Sequence, residues 1–538
     1  MNRVLSAFAI CLLLAGHVYS EDAPAKTPPP KPPADSTTTG TVEAGGQRIS
    51  YQAVVGLITV GSTEAQDAAL NADGQPQPGL ETRQQKDAKS PEDEPAVARI
   101  SYVAYFKTGD PAANRPITFF YNGGPGSSTV WLHMGSFGPR RVVTLDAQHT
   151  PPAPYKLVDN QYSLLDVSDI VFIDMPGTGF GRLIGKDKEK AFWGVDQDAH
   201  AFARFITRFL GKYSRWNSPK YLFGESYGTT RSAVLANILQ DQKSVDLNGV
   251  ILLSQILNFD TSVDGADANP GIDLPYQLGL PTYAATAYYH HKLPQQPAAL
   301  EPFLTEVEDF AMGPYAHALA QGTALPSAEK QAVAEKLHDY TGLTTAYLLK
   351  ANLRITGGIF EKQLQDDADI TTGRLDSRFA GPAMDPLSAT ADYDPQSAAI
   401  SSAYVSTFND YVRRELKYGE GQTFLPSAYG AAGFHWDMQH HQPGGGESNG
   451  LNVMPDLAAA MKYNPRLKVL LAGGYYDLAT PFYAAIYEAH HLPIPATLAG
   501  NIEYGFFESG HMVYVREEAL HQLHDKVAGF IRSTEGAK

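Results

Sequence analysis

Short apolar strands alternate with amphipathic helices along the first half of this chain, stop near Leu257, and resume only at Asp456. Strands are expected at Ile49–Val60, Val97–Phe106, Ile117–Tyr121, Ile170–Ile173, Tyr221–Phe223, Val250–Leu253 and Leu467–Leu471. Between Asp196 and Tyr213, apolar residues recur at helical spacing (Phe202, Phe205, Ile206, Phe209, Leu210). Further helices are expected at Thr230–Gln240, Asp456–Met461 and Glu517–Ile531. Apolar strands alternating with helices imply an α/β fold, a mostly parallel central sheet flanked by helices. The interruption implies one such domain, residues 47–260 and 456–538, with a large inserted helical cap at 261–455. Within the insertion, helices are expected at Ala299–Ala320, Ser327–His338, Thr344–Leu353 and Ser401–Lys417.

The chain has 538 residues, a formal charge of −16 and one cysteine, Cys11. No long basic run appears, so neither a nucleic-acid partner nor an anionic membrane surface has electrostatic support. Arg3, the apolar run Val4–Ala15 and the small residue Ser20 after Val18-Tyr19 have the pattern of a signal peptide, residues 1–20. The run is shorter than the roughly 20 residues a membrane span needs. Cleavage near Ser20 removes Cys11, giving a cysteine-free exported product that is secreted or periplasmic, with no membrane anchor. Residues 21–46, proline-rich from Pro24 to Pro33, are expected to form an extended disordered linker. The polar tract Gly61–Pro95 is expected to be an exposed loop.

The chemistry lies at the strand ends. Tyr221-Leu222-Phe223 runs into Gly224-Glu225-Ser226-Tyr227-Gly228 and then a helix. A serine on so sharp a turn projects its hydroxyl above the sheet, and its neighbours must be small where backbones close in. Gly446-Glu447-Ser448-Asn449-Gly450 matches the same spacing, but the residues before it do not form a buried strand, so Ser226 is the candidate nucleophile rather than Ser448. A serine hydroxyl needs a base, and the base an orienting acid. Asp477 follows the strand Leu467–Leu471, and His511 lies on a small-residue loop before the last helix, which gives the order Ser, Asp, His. An oxyanion needs preorganised donors. The amide of Tyr227 and the glycine-rich loop Asn122-Gly123-Gly124-Pro125-Gly126 after Ile117–Tyr121 suit that role.

Taken together, Asn122-Gly123-Gly124-Pro125-Gly126-Ser127-Ser128, Gly224-Glu225-Ser226-Tyr227, Gly474-Tyr475-Tyr476-Asp477 and Gly510-His511-Met512-Val513 resemble the motifs of the serine carboxypeptidase family, peptidase family S10. Secondary matches are Gly138-Pro139, Asn160 to Ser163, and Val171 to Phe180. The similarity covers about residues 97–258 and 465–520; in the insertion it extends only to position and helical character. The resemblance implies an α/β-hydrolase fold and an exported serine carboxypeptidase of a divergent bacterial branch. It implies Ser226, Asp477 and His511 as triad, Gly124 and Tyr227 as oxyanion-hole donors, and Asn122, Gly123 and Glu225 at the peptide's terminal carboxylate. No cofactor or metal is implied, the partner is a peptide substrate, and the state is monomer or homodimer.

The departures bear on selectivity. The family usually has a second glutamate two residues before Gly138-Pro139, where this chain has Ser136, and that position belongs to the substrate-binding set. A carboxyl pair sharing a proton binds a carboxylate best in acid. With Glu225 alone, strict exopeptidase selectivity is in question. Ser127 stands in place of a family cysteine, the family's disulfides are absent, and Gly228 stands where the family more often has Ala-Gly. Two readings therefore stand beside the carboxypeptidase: a serine esterase or acyltransferase on the same scaffold, and a catalytically silent hydrolase-fold binding protein. The pairs His290-His291, His440-His441 and His490-His491 lack a metal-binding helix motif and read as loops and helix ends. Arg140-Arg141 and Glu508 read as surface residues, with an acidic substrate group and replacement of the lost carboxylate as their alternative roles. His133 reads as a packed polar residue near the glycine loop.

Overall fold

The computed structural model describes residues 33–111, 115–431, 433–446 and 450–535. The expected signal peptide, most of the proline-rich stretch, and Ser448 lie outside them.

Ten strands form the main sheet: β1 (Ser36–Ala44), β2 (Gln47–Gly61), β3 (Val97–Lys107), β4 (Ile117–Tyr121), β5 (Asp169–Ile173), β6 (Arg182–Ile184), β7 (Lys220–Glu225), β8 (Gly249–Leu253), β9 (Lys468–Gly474) and β10 (Ile502–Phe507). Their spatial order is β1-β2-β3-β5-β4-β7-β8-β9-β10, with β6 paired to β3. From β5 to β10 every neighbouring pair is parallel, while β1, β2, β3 and β5 pair antiparallel. The exchange of β4 and β5 and the parallel run beyond them are the topology of an α/β hydrolase. The central strands are fully buried, which accounts for their unbroken apolar composition (ITFFY, DIVFI, GVILL).

Each face of the sheet has its own core. On one face Phe119, Val171, Leu222, Val250, Leu252 and Leu471 pack beneath helices α1 (Val195–Lys212), α2 (Tyr227–Asp241) and α5 (Met454–Tyr463). On the other, Phe120, Phe172, Phe223, Ile251, Leu253 and Leu470 pack beneath α7 (Glu517–Glu535) and α4 (Pro395–Arg414). A third core lies inside the insertion. It joins α3 (Leu274–Tyr289) to helices as far as Phe360, and it includes Tyr476, Leu478 and Phe482 at the start of α6 (Phe482–His490).

Four features differ from the sequence expectation. Order begins before Gln47: β1 lies within the stretch expected to be a disordered linker, and its whole length pairs with β2. Its alternating exposure suits an edge strand, and its threonines favour an extended chain. Helix α3 has no counterpart in the sequence reading because Pro275 and Pro281 look like breakers; Pro275 sits in the first turn, where no amide is needed, and Pro281 lies inside the helix. The insertion is not one helical cap. Its helix α4 is part of the sheet's second core through Ile400, Ala403, Tyr404 and Phe408, and the strap that follows is tied to the α/β body by bridges Ser127–Ser427, Gly179–Leu425 and Gly194–Asp437. The tract 61–95 carries two short helices, and Arg208 grips Asp67 from α1 at 3.1 Å. Among the described residues no helix is long and apolar enough to cross a membrane.

Arg231 on α2 locks the body. Its Nε–H donates to Asp198 Oδ2 on α1 at 2.5 Å, its Nη1–H donates to the carbonyl of Asn122 at 2.8 Å, and its guanidinium lies 4.4 Å from the centre of the Phe202 ring. Both charged side chains are wholly buried. Removing one member of a buried pair leaves the other charge uncompensated, at a cost of about 3–5 kcal/mol. Arg231→Met is therefore expected to lower the unfolding free energy by about that amount, read by urea denaturation. A change below about 0.5 kcal/mol, the range of ordinary surface substitutions, would contradict this role.

Candidate active site

Four chain segments arrive at the carboxyl ends of the parallel strands and surround a cavity of about 740 Å³. After β7 the chain turns at Ser226 (φ 61°, ψ −131°) directly into α2. This is the left-handed region, strained for a residue with a side chain. Ser226 N–H donates to Leu253 O at 3.0 Å, and Thr229 N–H and Oγ1–H donate back to Ser226 O at 2.8 and 2.7 Å. The turn is so tight that a Cβ on Gly224 would lie 2.1 Å from the Gly228 carbonyl oxygen, and one on Gly228 would lie 2.8 Å from the Tyr121 oxygen. The glycine loop presses on the same turn: a Cβ on Gly123 would meet the Tyr227 nitrogen at 2.4 Å.

Asp477 and His511 form the second half. His511 Nδ1–H donates to Asp477 Oδ2 at 2.8 Å. Asp477 is completely buried and held by three further donors: Thr480 Oγ1–H to Oδ2 at 2.6 Å, and the amides of Ala479 and Thr480 to Oδ1 at 2.9 and 3.0 Å. The His511 main chain is fixed on both sides, its amide donating to Leu375 O at 2.6 Å and its carbonyl accepting from Ser254 Oγ at 2.7 Å. Burial opposes charge on the imidazole, but the adjacent Asp477 carboxylate outweighs it and, with Glu225, holds His511 above the ordinary histidine value; Arg374 works the other way. His511, Thr480, Ser226 and Gly124 all line the cavity. So does Tyr227, whose amide, as the first of helix α2, has no intrahelical carbonyl to bond. Gly124 has φ 111°, a conformation that turns its peptide in a way L side chains resist.

Glu225 and Asn122 occupy one wall. Asn122 Nδ2–H donates to Glu225 Oε1 at 2.7 Å, while Asn122 Oδ1 accepts from Leu132 N–H at 3.0 Å. Burial lifts the Glu225 carboxyl to about 7, against the pull of His511 and Asn122. Tyr514 stands close to the same carboxyl, yet neither its hydroxyl nor Glu225 Oε2 makes a well-formed hydrogen bond.

The expected substrate residue Ser136 is corrected by the structure. It is wholly buried in the turn His133–Phe137, its hydroxyl donates to Leu132 O at 2.6 Å, and it is not among the cavity-lining residues. Asn160 clamps this turn from outside, donating to Ser136 O and Gly138 O at 2.6 and 2.8 Å, which explains the Gly138-Pro139 and Asn160 motifs. Tyr404 and Tyr514 close over Gly135 and take the space beside Glu225.

The remaining candidates lie elsewhere. Glu508 pairs with Arg516 at 3.1 Å on the surface. Arg140 and Arg141 pair with Asp159, Glu415 and Glu517. His133 stacks on Phe172 and meets the Tyr105 hydroxyl at 2.7 Å; burial pushes it down to about 3. His440 bridges Asp196 and Asp456, at 2.5 and 2.8 Å, away from the cavity. Among the described residues, no three His, Cys, Asp or Glu side chains stand together as metal ligands.

Sequence reasoning missed Thr480, although an Asp-x-x-Thr spacing after a strand is a local turn signal. It also missed the far wall of Arg374, Leu375, Gln396 and Tyr429, which no local pattern marks because the insertion supplies them from three separate segments.

Residues 97–273 match the family described as serine carboxypeptidase. It is 31% identical over 141 residues to the pheromone-processing carboxypeptidase KEX1 of Yarrowia lipolytica, covering 26% of this chain and 21% of the relative. It is 26% identical over 182 residues to serine carboxypeptidase-like 28 of Arabidopsis thaliana, covering 33% and 37%. The chain thus spans well under half the length of these relatives. Among solved structures, a proline iminopeptidase of Mycobacterium smegmatis aligns over 93% of this chain and 99% of its own, with TM-score 0.33 and 12% identity, too distant to bear on the site.

Gly224→Ala forces the turn apart, because its new methyl overlaps a main-chain oxygen rather than a movable side chain. Covalent labelling of Ser226 by a fluorophosphonate is expected to fall at least tenfold in this variant, followed by intact-protein mass. Labelling at the wild-type rate would show that the turn does not set the serine's reactivity.

Proposed function

We propose that this chain is an exported serine carboxypeptidase that removes residues from the C-terminus of peptides through an acyl-enzyme. The observation that carries the reading is the His511–Asp477 pair at 2.8 Å, on the cavity that also receives Ser226 and the glycine loop.

Ser226 Oγ attacks the scissile carbonyl carbon while His511 takes its proton. Asp477, fixed by Thr480 and two amides, orients the ring and stabilises the imidazolium. The amides of Gly124 and Tyr227 receive the oxyanion. His511 then protonates the leaving amine, and water repeats the sequence on the ester to release the acid. The substrate's terminal carboxylate is held by Asn122, the Gly123 peptide and Glu225 in its protonated form. Export rests on the pattern of residues 1–20.

A second reading, transfer of the acyl group to an acceptor other than water or hydrolysis of an ester, draws on one observation. Tyrosines and not a second carboxyl flank Glu225. Mass analysis of a peptide mixture separates the two: stepwise loss of C-terminal residues supports the peptidase, and intact peptides with a cleaved ester support the alternative. Ser226→Ala is expected to lower the rate by roughly 10⁴-fold or more. Wild-type protein that neither trims peptides nor reacts with a fluorophosphonate would overturn both, leaving a binding scaffold.

The pH profile follows from two groups. The base must be neutral, so kcat/KM rises with pH through the His511 ionisation, which lies above the ordinary value of about 6.5. Glu225 binds a carboxylate only while protonated, so KM rises as pH passes about 7. The expected profile is a narrow bell near neutrality, and Glu225→Gln removes the alkaline rise in KM while the acid limb stays. Activity confined below about pH 5 would contradict this assignment, since His511 would then be protonated throughout.

A further inference from the structure

Among the described residues lining the active-site cavity, Arg374 is the only lysine or arginine. It comes from the insertion, one residue before Leu375, whose carbonyl holds the His511 amide. Its main chain is anchored to Asp394, the capping residue of α4, by a 2.8 Å bond from its own amide and a 3.2 Å bond from that of Leu375. Its guanidinium is only partly engaged. Nε–H donates to Asp264 Oδ2 at 2.9 Å and Nη2–H to the same oxygen, while Nη1 makes no hydrogen bond among the described residues. The side chain keeps 40% of its exposure.

A second observation points the same way. Gln396, two residues after Asp394, also lines the cavity, and both its Oε1 and Nε2 are buried without a hydrogen-bond partner. A buried amide with neither end satisfied costs free energy unless something polar completes it. Ser397 and Ser401 line the same wall from α4. The cavity thus presents a guanidinium engaged on one side by Asp264 and a buried amide with neither end satisfied, in addition to Glu225 and Asn122.

We infer that Arg374 is the specificity-determining cation of the cavity, taking the side-chain carboxylate of an Asp or Glu residue that flanks the scissile bond. The inference rests on the peptidase reading and deepens it. The terminal carboxylate is already provided for at Asn122, Gly123 and Glu225, so Arg374 reads a second anionic group. Asp264 holds the guanidinium from one side and leaves Nη1–H to donate to that group. A charge-assisted hydrogen bond of this kind is expected to give about tenfold or more in selectivity.

The test compares peptides that differ only in Glu against Gln, placed on either side of the bond cleaved. Wild type is expected to prefer the Glu peptide at least about tenfold in kcat/KM, through KM. Arg374→Gln brings the ratio to near one, and Arg374→Lys, which keeps the charge, retains part of the preference. Equal use of both peptides by wild type, or an unchanged ratio in Arg374→Gln, overturns the inference. Binding of the same peptides to Ser226→Ala, followed by calorimetry, reads the discrimination without turnover. Tighter binding of the Glu peptide, lost in Ser226→Ala/Arg374→Gln, sustains the role of Arg374 even if no peptide is hydrolysed, in which case the peptidase reading alone fails. Equal affinities in the two backgrounds overturn the inference whether or not peptides are cut.

Discussion

Everything at the site follows from how closely three stretches of main chain approach one another. The end of β4, the turn after β7 and the first residues of α2 meet at Gly123, Gly224 and Gly228, where a single methyl would overlap a backbone atom. None of these three backbone atoms can move aside as a side-chain tip would. The contact therefore fixes Ser226 in its left-handed conformation and sets the glycine loop against the amide of Tyr227. Strain of this kind persists only where the surroundings overdetermine it. Here they do, because Arg231 ties α2 to α1 and to the carbonyl of Asn122 at once.

The second dependence is electrostatic. Glu225, His511 and Asp477 share a buried space, with the half-exposed Arg374 at its edge, and the groups act on one another across short distances. Asp477 is held by three donors besides His511, and its proximity raises the pKa of His511. Glu225, with one amide donor and a large burial penalty, is poised near neutrality. A carboxylate held by donors and a carboxyl kept partly protonated by burial serve different ends. The first orients an imidazole; the second is suited to accept an anion without repelling it.

The motifs around Ser226, Asp477 and His511 were legible because each depends on contacts within a few residues of a strand end. Gly-x-Ser-x-Gly after an apolar strand, and an Asp and a His just past later strands, are local patterns whose order is fixed by the topology of a parallel sheet. Residues whose role depends on distant segments were not legible in this way. Ser136 looked like a substrate contact by its offset from Gly138-Pro139, yet its hydroxyl bonds Leu132 O within its own turn, and Tyr404 and Tyr514 arrive from far along the chain to fill the space. Helix α3 was hidden by Pro281, and β1 by its position after the proline-rich stretch.

The sequence by itself determined the layered α/β body, the interruption near Leu257, and the residues at the strand ends, because hydrophobic period and turn chemistry are short-range properties. Tertiary structure decided what the insertion does. It divided that segment into a separate apolar core, a helix that completes the sheet's second face, and a strap across the glycine loop. It also brought Arg374 and Gln396 to the cavity wall from positions with no mutual sequence signal. The physical reason is that charge and hydrogen-bond satisfaction depend on what surrounds a group in space, and for these side chains the surroundings come from segments more than a hundred residues apart, as with Arg374 and Asp264.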